Sequence, residues 1–186
     1  MPQDIDRLDN SGTGRNLGVE LTLEKFFSNN YYFLVTGSFF DSKYTDGQGR
    51  TFNTAFNTNY VVNALVGAEW PIGKKKQHAL FGDIKFALAG GNRTTPVDVA
   101  ASDAANQTIF NEEESFTQQL IPYHRLDIKT GVRFNHKKVT QEWSVTIQNV
   151  YNRENLLRQT FDANQNEVIN RYQIGLFPIV QYKLLF

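Results

Sequence analysis

The side chains most able to do chemistry in this chain are three histidines, scattered serines and glycines, and short charged runs. His78, His124 and His136 have neither an HxxxH spacing nor a histidine–carboxylate spacing, so they form no metal-site pattern. No serine lies in a G-x-S-x-G nucleophile elbow, and the glycines form no phosphate-binding pattern. The chain has no cysteine, which excludes thiolate catalysis. We therefore expect no enzyme activity, no metal and no cofactor.

Charged and polar residues in the predicted loops are the remaining candidates for ligand contact. Arg93, Asn152 and Arg153 are candidates for lining a ligand entrance, with an ordinary loop role as the alternative for each. The run EEE at residues 112–114 would either attract a cationic ligand or stay solvated in a loop. Basic and acidic residues both number 19, so the formal net charge is zero and no nucleic-acid partner is expected.

The end of the chain indicates what kind of element positions these side chains. Apolar residues occupy every second position of residues 172–186, which predicts a long strand with one apolar face. Strands of soluble proteins usually have about five or six residues, whereas a strand that crosses a bilayer needs roughly nine to eleven. The length of this alternation favours a membrane strand over the last strand of a soluble sandwich.

The same alternation recurs along the chain and predicts about seven long strands. The six before the closing strand are expected at residues 16–26, 31–44, 58–71, 78–90, 122–135 and 139–151. Short turns are expected at 28–30, 73–77 and 135–138, and long loops at 45–57, 91–120 and 152–169. Outer-membrane barrels have short periplasmic turns and longer extracellular loops. The three long loops are therefore expected at one end of the sheet, outside the cell.

The two predicted faces suit a wide membrane barrel. Arg125, Asp127, Lys129 and Arg133 share one face of a strand, where a packed core would make their burial costly and a water-filled interior would not. Aromatic residues near strand ends or on the lipid face are candidates for a membrane girdle, with ordinary strand packing as the alternative. These candidates are Trp70, Trp143, Tyr151 and Tyr182. Because single-chain bacterial barrels have even strand numbers, seven strands predict one arc of a larger barrel.

Several stretches, in this order and spacing, also carry a family resemblance. They are GRNLGVEL at 14–21, YY at 31–32, FDSKY at 40–44, FNTAFN at 52–57, GGNRTTPVD at 90–98, YHRLDI at 123–128, IQNVYNR at 147–153 and QIGLFP at 173–178. With them the chain resembles the C-terminal end of TonB-dependent outer-membrane receptors of the Bacteroidota type. The resemblance runs from about residue 12 to residue 186, nearly the whole chain.

The resemblance implies an all-β, antiparallel, up-and-down transmembrane segment that closes a barrel of about 22 strands. In that family an N-terminal plug fills the barrel and a short segment before the plug contacts TonB. The receptor takes up a siderophore, a cobalamin or an oligosaccharide. The implied partners are outer-membrane lipid, the barrel-assembly machinery, the rest of the barrel with its plug, and through the plug TonB. A terminal aromatic on an alternating strand is the assembly signal in this family. Its counterpart here is Val180, Tyr182, Leu184 and Phe186.

The expected organisation is a polar, loop-like segment at residues 1–14 followed by the receptor-barrel portion at 15–186. No signal peptide precedes it, so we expect a fragment of a longer precursor located in the outer membrane of a Gram-negative cell. Two alternatives remain open at this point. One is a free-standing small outer-membrane barrel, and the other is a soluble β-sandwich binding module.

Overall fold

The computed structural model describes residues 11–186. Its strands are β1 Thr13–Ser28, β2 Tyr31–Thr45, β3 Thr51–Asn53, β4 Tyr60–Ile72, β5 His78–Ala89, β6 Arg93–Thr94, β7 Gln118–Gln119, β8 Tyr123–Asn135, β9 Thr140–Gln148, β10 Leu156–Asp162, β11 Glu167–Tyr172 and β12 Phe177–Leu185. One helix, α1 at Val99–Ala105, and a 3-10 turn at Glu112–Glu114 lie between β6 and β7. Residues 1–10 of the expected N-terminal segment lie outside the described residues.

The main sheet is an antiparallel meander. Its order is β1-β2-β4-β5-β8-β9-β12, with the short β3 paired to β2. The prediction of an all-β fold with about seven long antiparallel strands is confirmed. Among residues 11–186 the sheet is open, since β1 pairs only with β2 and β12 only with β9.

Directly paired residues of antiparallel strands share a face, so the register assigns each side chain to one side of the sheet. On one side, Val19 pairs with Phe39, and equivalent apolar pairs continue across all seven long strands. One such row crosses five strands. It runs through Trp70, Leu80, Val132, Trp143 and Tyr182. We call this side the apolar face and the opposite side the polar face.

Burial is inverted relative to a water-soluble sheet. On β9 the apolar Trp143 and Val145 are 49% and 42% exposed, whereas Glu142 and Ser144, which alternate with them, are 7% and 4% exposed. Among the described residues, the buried hydrophobic side chains are Phe81, Leu120 and Phe161. An apolar core between two layers, as soluble β-sandwiches have, is therefore missing from the described part of the chain.

The closing strand is shorter than the sequence pattern predicts. Residues 172–186 were expected as one strand, but Tyr172 ends β11, which pairs with β10 in a separate hairpin, and β12 begins at Phe177. Between them, the amide of Gln173 donates to the Asn155 carbonyl at 2.8 Å, and that of Leu176 donates to Asn152 Oδ1 at 2.8 Å. The prediction of a single strand is wrong because loop acceptors take these amides out of the ladder.

The sixth strand also ends early. It was expected to reach residue 151 but stops at Gln148, because Asn149 and Asn152 have φ angles of 54° and 53°. These left-handed conformations end the extended chain, and asparagine tolerates them better than most residues.

All three long connections lie at the same end of the sheet, as predicted. The first contains β3, the second β6, α1, the 3-10 turn and β7, and the third the β10–β11 hairpin. They contact one another. Arg93 Nε donates to the Asn57 carbonyl at 3.3 Å, and the Phe161 amide donates to Thr108 Oγ1 at 3.0 Å. We call this the loop end and the opposite one the turn end.

No helix in residues 11–186 is long and apolar enough to cross a bilayer.

Candidate functional site

The polar face carries a cleft with alternating charges at its centre. Strand register places Asp83 opposite Lys129 and Lys85 opposite Asp127, so acids and bases on β5 and β8 interleave. The cleft has a volume of about 320 Å³. It is lined by Tyr32, Leu65, Asp83, Lys85, Arg125, Asp127, Lys129, Thr146 and Gln148. Mixed charges of this kind suit a polar partner with both hydrogen-bond donors and acceptors.

One wall of the cleft depends on a glycine. The Tyr32 hydroxyl donates a hydrogen bond to Asp83 Oδ1 across the intervening strand β4. Gly67 on β4 pairs directly with both residues, and a Cβ at this position would overlap both side chains. The missing side chain at Gly67 therefore lets β2 and β5 make a polar contact over β4.

The other wall is held by Asp127, which is 9% exposed. Its Oδ1 accepts a hydrogen bond from the Asn149 amide at 3.0 Å and lies 2.9 Å from Arg125 Nε. The Arg125 Nε–H nevertheless makes no hydrogen bond among the described residues, because it does not point at the carboxylate oxygen. The contact is therefore an ion pair without a hydrogen bond. Asp127 thus fixes the end of β9 and neutralises Arg125.

A second charged network lies on the polar face nearer the turn end. Arg133 on β8 donates to Glu142 Oε2 on β9 at 3.0 Å and to Glu69 Oε1 on β4 at 3.0 Å. Lys183 on β12 lies 3.8 Å from the same Glu142. Phe81 packs beneath this cluster, 5.4 Å from the Arg133 guanidinium. Four strands are therefore joined through one group of side chains.

Buried asparagines organise the loop end. Asn57, 0% exposed, accepts from the Ser42 amide at 3.0 Å and donates to Asp41 Oδ1 at 3.0 Å. Asn155 accepts from the His124 amide at 3.2 Å and donates to the His124 carbonyl at 3.0 Å. Each asparagine mimics a strand partner where the ladder ends, which gives the loops a fixed starting direction.

The three candidates for ligand contact all brace loops. Arg93 donates a hydrogen bond to Asn59 Oδ1 at 3.2 Å, in addition to its bond to the Asn57 carbonyl. Arg153 donates to the Pro122 carbonyl at 3.3 Å, and Asn152 holds the Leu176 amide as described above. Among the described residues, no hydrogen bond joins Arg93 to Asn152 or Arg153. All three lie at the loop end and outside the polar-face cleft, and their ligand contact stays a prediction.

The other reactive residues lie in separate places, except that the ring centroids of His78 and His136 are 5.8 Å apart. Glu112–Glu114 forms an exposed 3-10 turn capped by Asn111, whose Oδ1 accepts from the Glu113 amide at 3.2 Å. His78 accepts the Asn135 amide at 3.1 Å, while His124 lies near the other end of the sheet. No group of three potential metal ligands occurs in residues 11–186.

The candidate girdle residues divide into two sets. Trp70, Trp143 and Tyr182 share the row across the apolar face, and the rings of Trp143 and Tyr182 are 4.5 Å apart. Tyr151 lies instead in the third loop, where its hydroxyl is 2.7 Å from His124 Nδ1. Partial burial raises the pKa of Tyr151, and the nearby Arg153 opposes that rise.

The candidate assembly residues follow the apolar face of β12. Val180 pairs with Val145 and Leu184 with Gln141. Phe186 lies beyond the last paired residue and is 97% exposed. These side chains are therefore exposed along β12, the last strand of the described sheet.

Sequence reasoning missed the partners within the charged networks. It placed Arg125, Asp127, Lys129 and Arg133 on one face, but it did not connect Arg133 to Glu69, which is 64 residues away. The only available signal was the apolar–polar alternation of each strand, which puts Glu69, Asp83 and Glu142 at polar positions. The alternation tells which face of the sheet a side chain lies on. Whether two side chains on that face touch also depends on the register of the strands.

Comparisons of the chain with protein-family models, with curated proteins and with solved structures find no match. The resemblance to TonB-dependent receptors therefore stays a prediction that rests on the quoted stretches.

Proposed function

We propose that this chain is the C-terminal, closing arc of a TonB-dependent outer-membrane receptor that takes up a scarce nutrient. The observation that carries the proposal is the exposed apolar face across seven strands, with the carboxylates of Asp127 and Glu142 buried on the opposite face. In water, exposed apolar surface is unfavourable by about 25 cal/mol per Å². Lipid contact removes that penalty, and a wet lumen solvates the polar face.

Strand lengths agree with a bilayer. At roughly 3.3 Å per residue and a tilt of about 40°, a strand of nine residues rises about 23 Å, close to the roughly 25 Å apolar band of outer-membrane barrels. The shortest of the long strands, β9 and β12, have nine residues each. The longer strands β1 and β2 would extend beyond the membrane at the loop end, as receptor strands do when they carry large loops.

The two free edges support an incomplete barrel. An unpaired backbone group in lipid costs several kcal/mol, so an isolated open sheet would be unstable there. With seven alternating strands, β1 and β12 run in the same direction, and antiparallel closure needs an odd number of further strands. A barrel of about 22 strands would leave about 15, which is odd.

In such a receptor the polar face would line the lumen. The cleft around Asp83 and Lys129 and the Arg133 network would then face the plug, and the loop end would face arriving nutrient. The ligand class stays open among siderophores, cobalamins and oligosaccharides. The energy-coupling partner would be TonB, reached through the plug, and the barrel-assembly machinery would insert the strands.

The two alternatives have less support. A free-standing small barrel requires an even strand number and closed edges. A soluble β-sandwich requires two sheets packed face to face, whereas the main sheet of residues 11–186 has a single layer.

Cell fractionation tests the proposal. An antibody against residues 99–114, within the second loop, would be applied to cells of the source organism. We expect the antigen in the outer-membrane fraction, resistant to carbonate extraction and accessible on intact cells. Antigen in the soluble fraction, or antigen reached only after lysis, would contradict the proposal. An antibody against a periplasmic protein controls for cell integrity.

A further inference from the structure

Two basic turns lie side by side at the turn end. They are the turn Gly73–Gln77, with Lys74, Lys75 and Lys76, and residues 136–139, with Lys137 and Lys138. Because β5 pairs with β8, the two turns are neighbours. Asn135 joins them, since its amide donates to His78 Nδ1 at 3.1 Å and its Nδ2 donates to the Gln77 carbonyl at 2.8 Å.

The charge of these turns is uncompensated. All five lysines are exposed, and none has a salt bridge within residues 11–186. Neither turn contains an acidic residue, so their net charge is +5. The loops at the other end, residues 46–59, 90–122 and 149–176, hold nine acidic and five basic residues, a net of −4. The sheet is therefore polarised from end to end.

An aromatic row fixes the depth of this basic surface. Trp70, Trp143 and Tyr182 lie on the apolar face close to the turn end, and Trp70 precedes Lys74 by four residues. Tryptophan and tyrosine prefer the headgroup level of a membrane. At roughly 3.3 Å per residue, reduced by strand tilt, the lysine backbones lie on the order of 10 Å beyond the row, on the aqueous side of the headgroups. From there their long, flexible side chains reach back to the lipid phosphates.

We propose that the lysines at 74–76 and 137–138 form a binding surface for anionic phospholipid headgroups of the phosphatidylglycerol type. The proposal rests on the membrane placement of the sheet in the proposed function. Lysine ammonium groups attract lipid phosphates, and the Asn135 link holds the two turns at a fixed separation. The apolar row beside them would contact the acyl chains of the same lipids. The attraction is screened by salt.

Tryptophan quenching by brominated lipids tests this inference. The receptor that contains this arc, with every tryptophan outside the arc replaced by phenylalanine, is reconstituted in mixed vesicles of phosphatidylcholine and phosphatidylglycerol. Either one or the other lipid is brominated at the same acyl position. We expect brominated phosphatidylglycerol to quench about twofold more strongly at equal mole fraction in low salt, and high salt to remove the difference. Both tryptophans, Trp70 and Trp143, lie in the row beside the lysines, so they report on the local lipid composition.

Three variants distinguish the turn end from the rest of the surface. Replacing all five turn lysines with glutamine should abolish the preference, and replacing them with arginine should preserve it. A control variant that loses the same number of positive charges elsewhere should also preserve the preference. This variant combines Arg15→Gln, Lys43→Gln, Arg50→Gln, Arg158→Gln and Arg171→Gln.

The outcomes separate this inference from the proposed function. Equal quenching by both brominated lipids in the unaltered protein would overturn the headgroup site and leave the membrane placement intact. A preference that survives the glutamine replacement would also overturn it. No quenching by either lipid would contradict the membrane placement itself. Loss of the preference on adding a short nucleic acid, but not inorganic phosphate, would reassign the lysines to a polyanion.

Discussion

Arg133 joins more strands than any other single side chain described in the polar-face networks. Its guanidinium bonds Glu69 on β4 and Glu142 on β9, and Glu142 in turn lies near Lys183 on β12. Glu142 is 7% exposed, so loss of its main partner leaves a carboxylate that water solvates poorly. At the scale of residues, such networks hold the sheet together where an apolar core does not.

Replacement of this arginine should therefore be costly. We expect Arg133→Gln to lower the free energy of unfolding by about 1–3 kcal/mol, because the buried Glu142 and the partly exposed Glu69 both lose a charged donor. Urea unfolding of the protein in vesicles, followed by gel mobility of folded and unfolded forms, measures the change. Lys43→Gln is the matched control, since its ion pair with Asp41 is exposed, and we expect a much smaller loss. Equal losses in both variants would show that the Arg133 network adds no stability.

At the scale of elements, alternation of apolar residues predicts where strands lie but not where the ladder stops. Six of the seven long strands lie within a few residues of the predicted segments, because burial of one face imposes a period of two. The stretch 172–176 alternates equally well, yet its amides bond Asn152 and Asn155 in the third loop. Such side-chain caps depend on the fold of a distant segment, so they could not be read from the local pattern. The partners of Arg133 were missed for the same reason, since contact across the sheet depends on register.

The closing strand β12 should carry an assembly role that is separate from ligand binding. In the full-length receptor, we expect Phe186→Ala to lower the amount of receptor in the outer membrane without changing the ligand affinity of the inserted fraction, because the exposed terminal aromatic is available to the assembly machinery. Quantitative immunoblots of outer membranes measure this. Gln181→Ala, on the polar face of the same strand, is the control and should leave the amount nearly unchanged. If the Gln181→Ala variant were depleted from the outer membrane and the Phe186→Ala variant were present at the normal amount, the faces assigned to β12 would be wrong.

The connections should differ in their access to protease. Added to intact cells, protease should cleave within the loops at 45–57, 91–120 or 152–169 and should spare the turn at 73–77. The reason is that all three loops share one end of the sheet and the turn lies at the other. Mass spectrometry of released peptides identifies the cut sites. Permeabilised cells, in which the basic turn should be cut after its lysines, provide the control. Cleavage at 73–77 in intact cells would contradict the orientation.

At the scale of the whole molecule, the sheet combines three properties that a receptor arc requires. These are an exposed apolar face, a charged polar face and, within residues 11–186, free edges at β1 and β12. Each follows from the sequence pattern once the register is known, whereas nutrient specificity does not, because it depends on loop side chains and on surfaces contributed by the rest of a receptor.

The chain by itself should not transport. Expressed with an added export signal in a strain that lacks its own receptor, it should give no TonB-dependent accumulation of siderophore, cobalamin or oligosaccharide, because the proposed mechanism needs a plug and an energy-coupling segment. Radiolabelled ligand uptake measures this, with the intact receptor of the strain as the positive control. Uptake that disappears on deletion of TonB would refute the proposal that this arc is only part of the transporter.

One face of the sheet is expected to contact lipid and the other to contact water, and spin labelling measures this difference position by position. Because the chain has no cysteine, single cysteines at 143–148 on β9 can each carry a nitroxide label in the membrane-assembled protein. Collision with oxygen, which concentrates in lipid, should be greatest at 143, 145 and 147, and collision with a water-soluble nickel chelate should be greatest at 144, 146 and 148. Access to the nickel chelate at all six positions, with no period of two in the oxygen signal, would contradict the account.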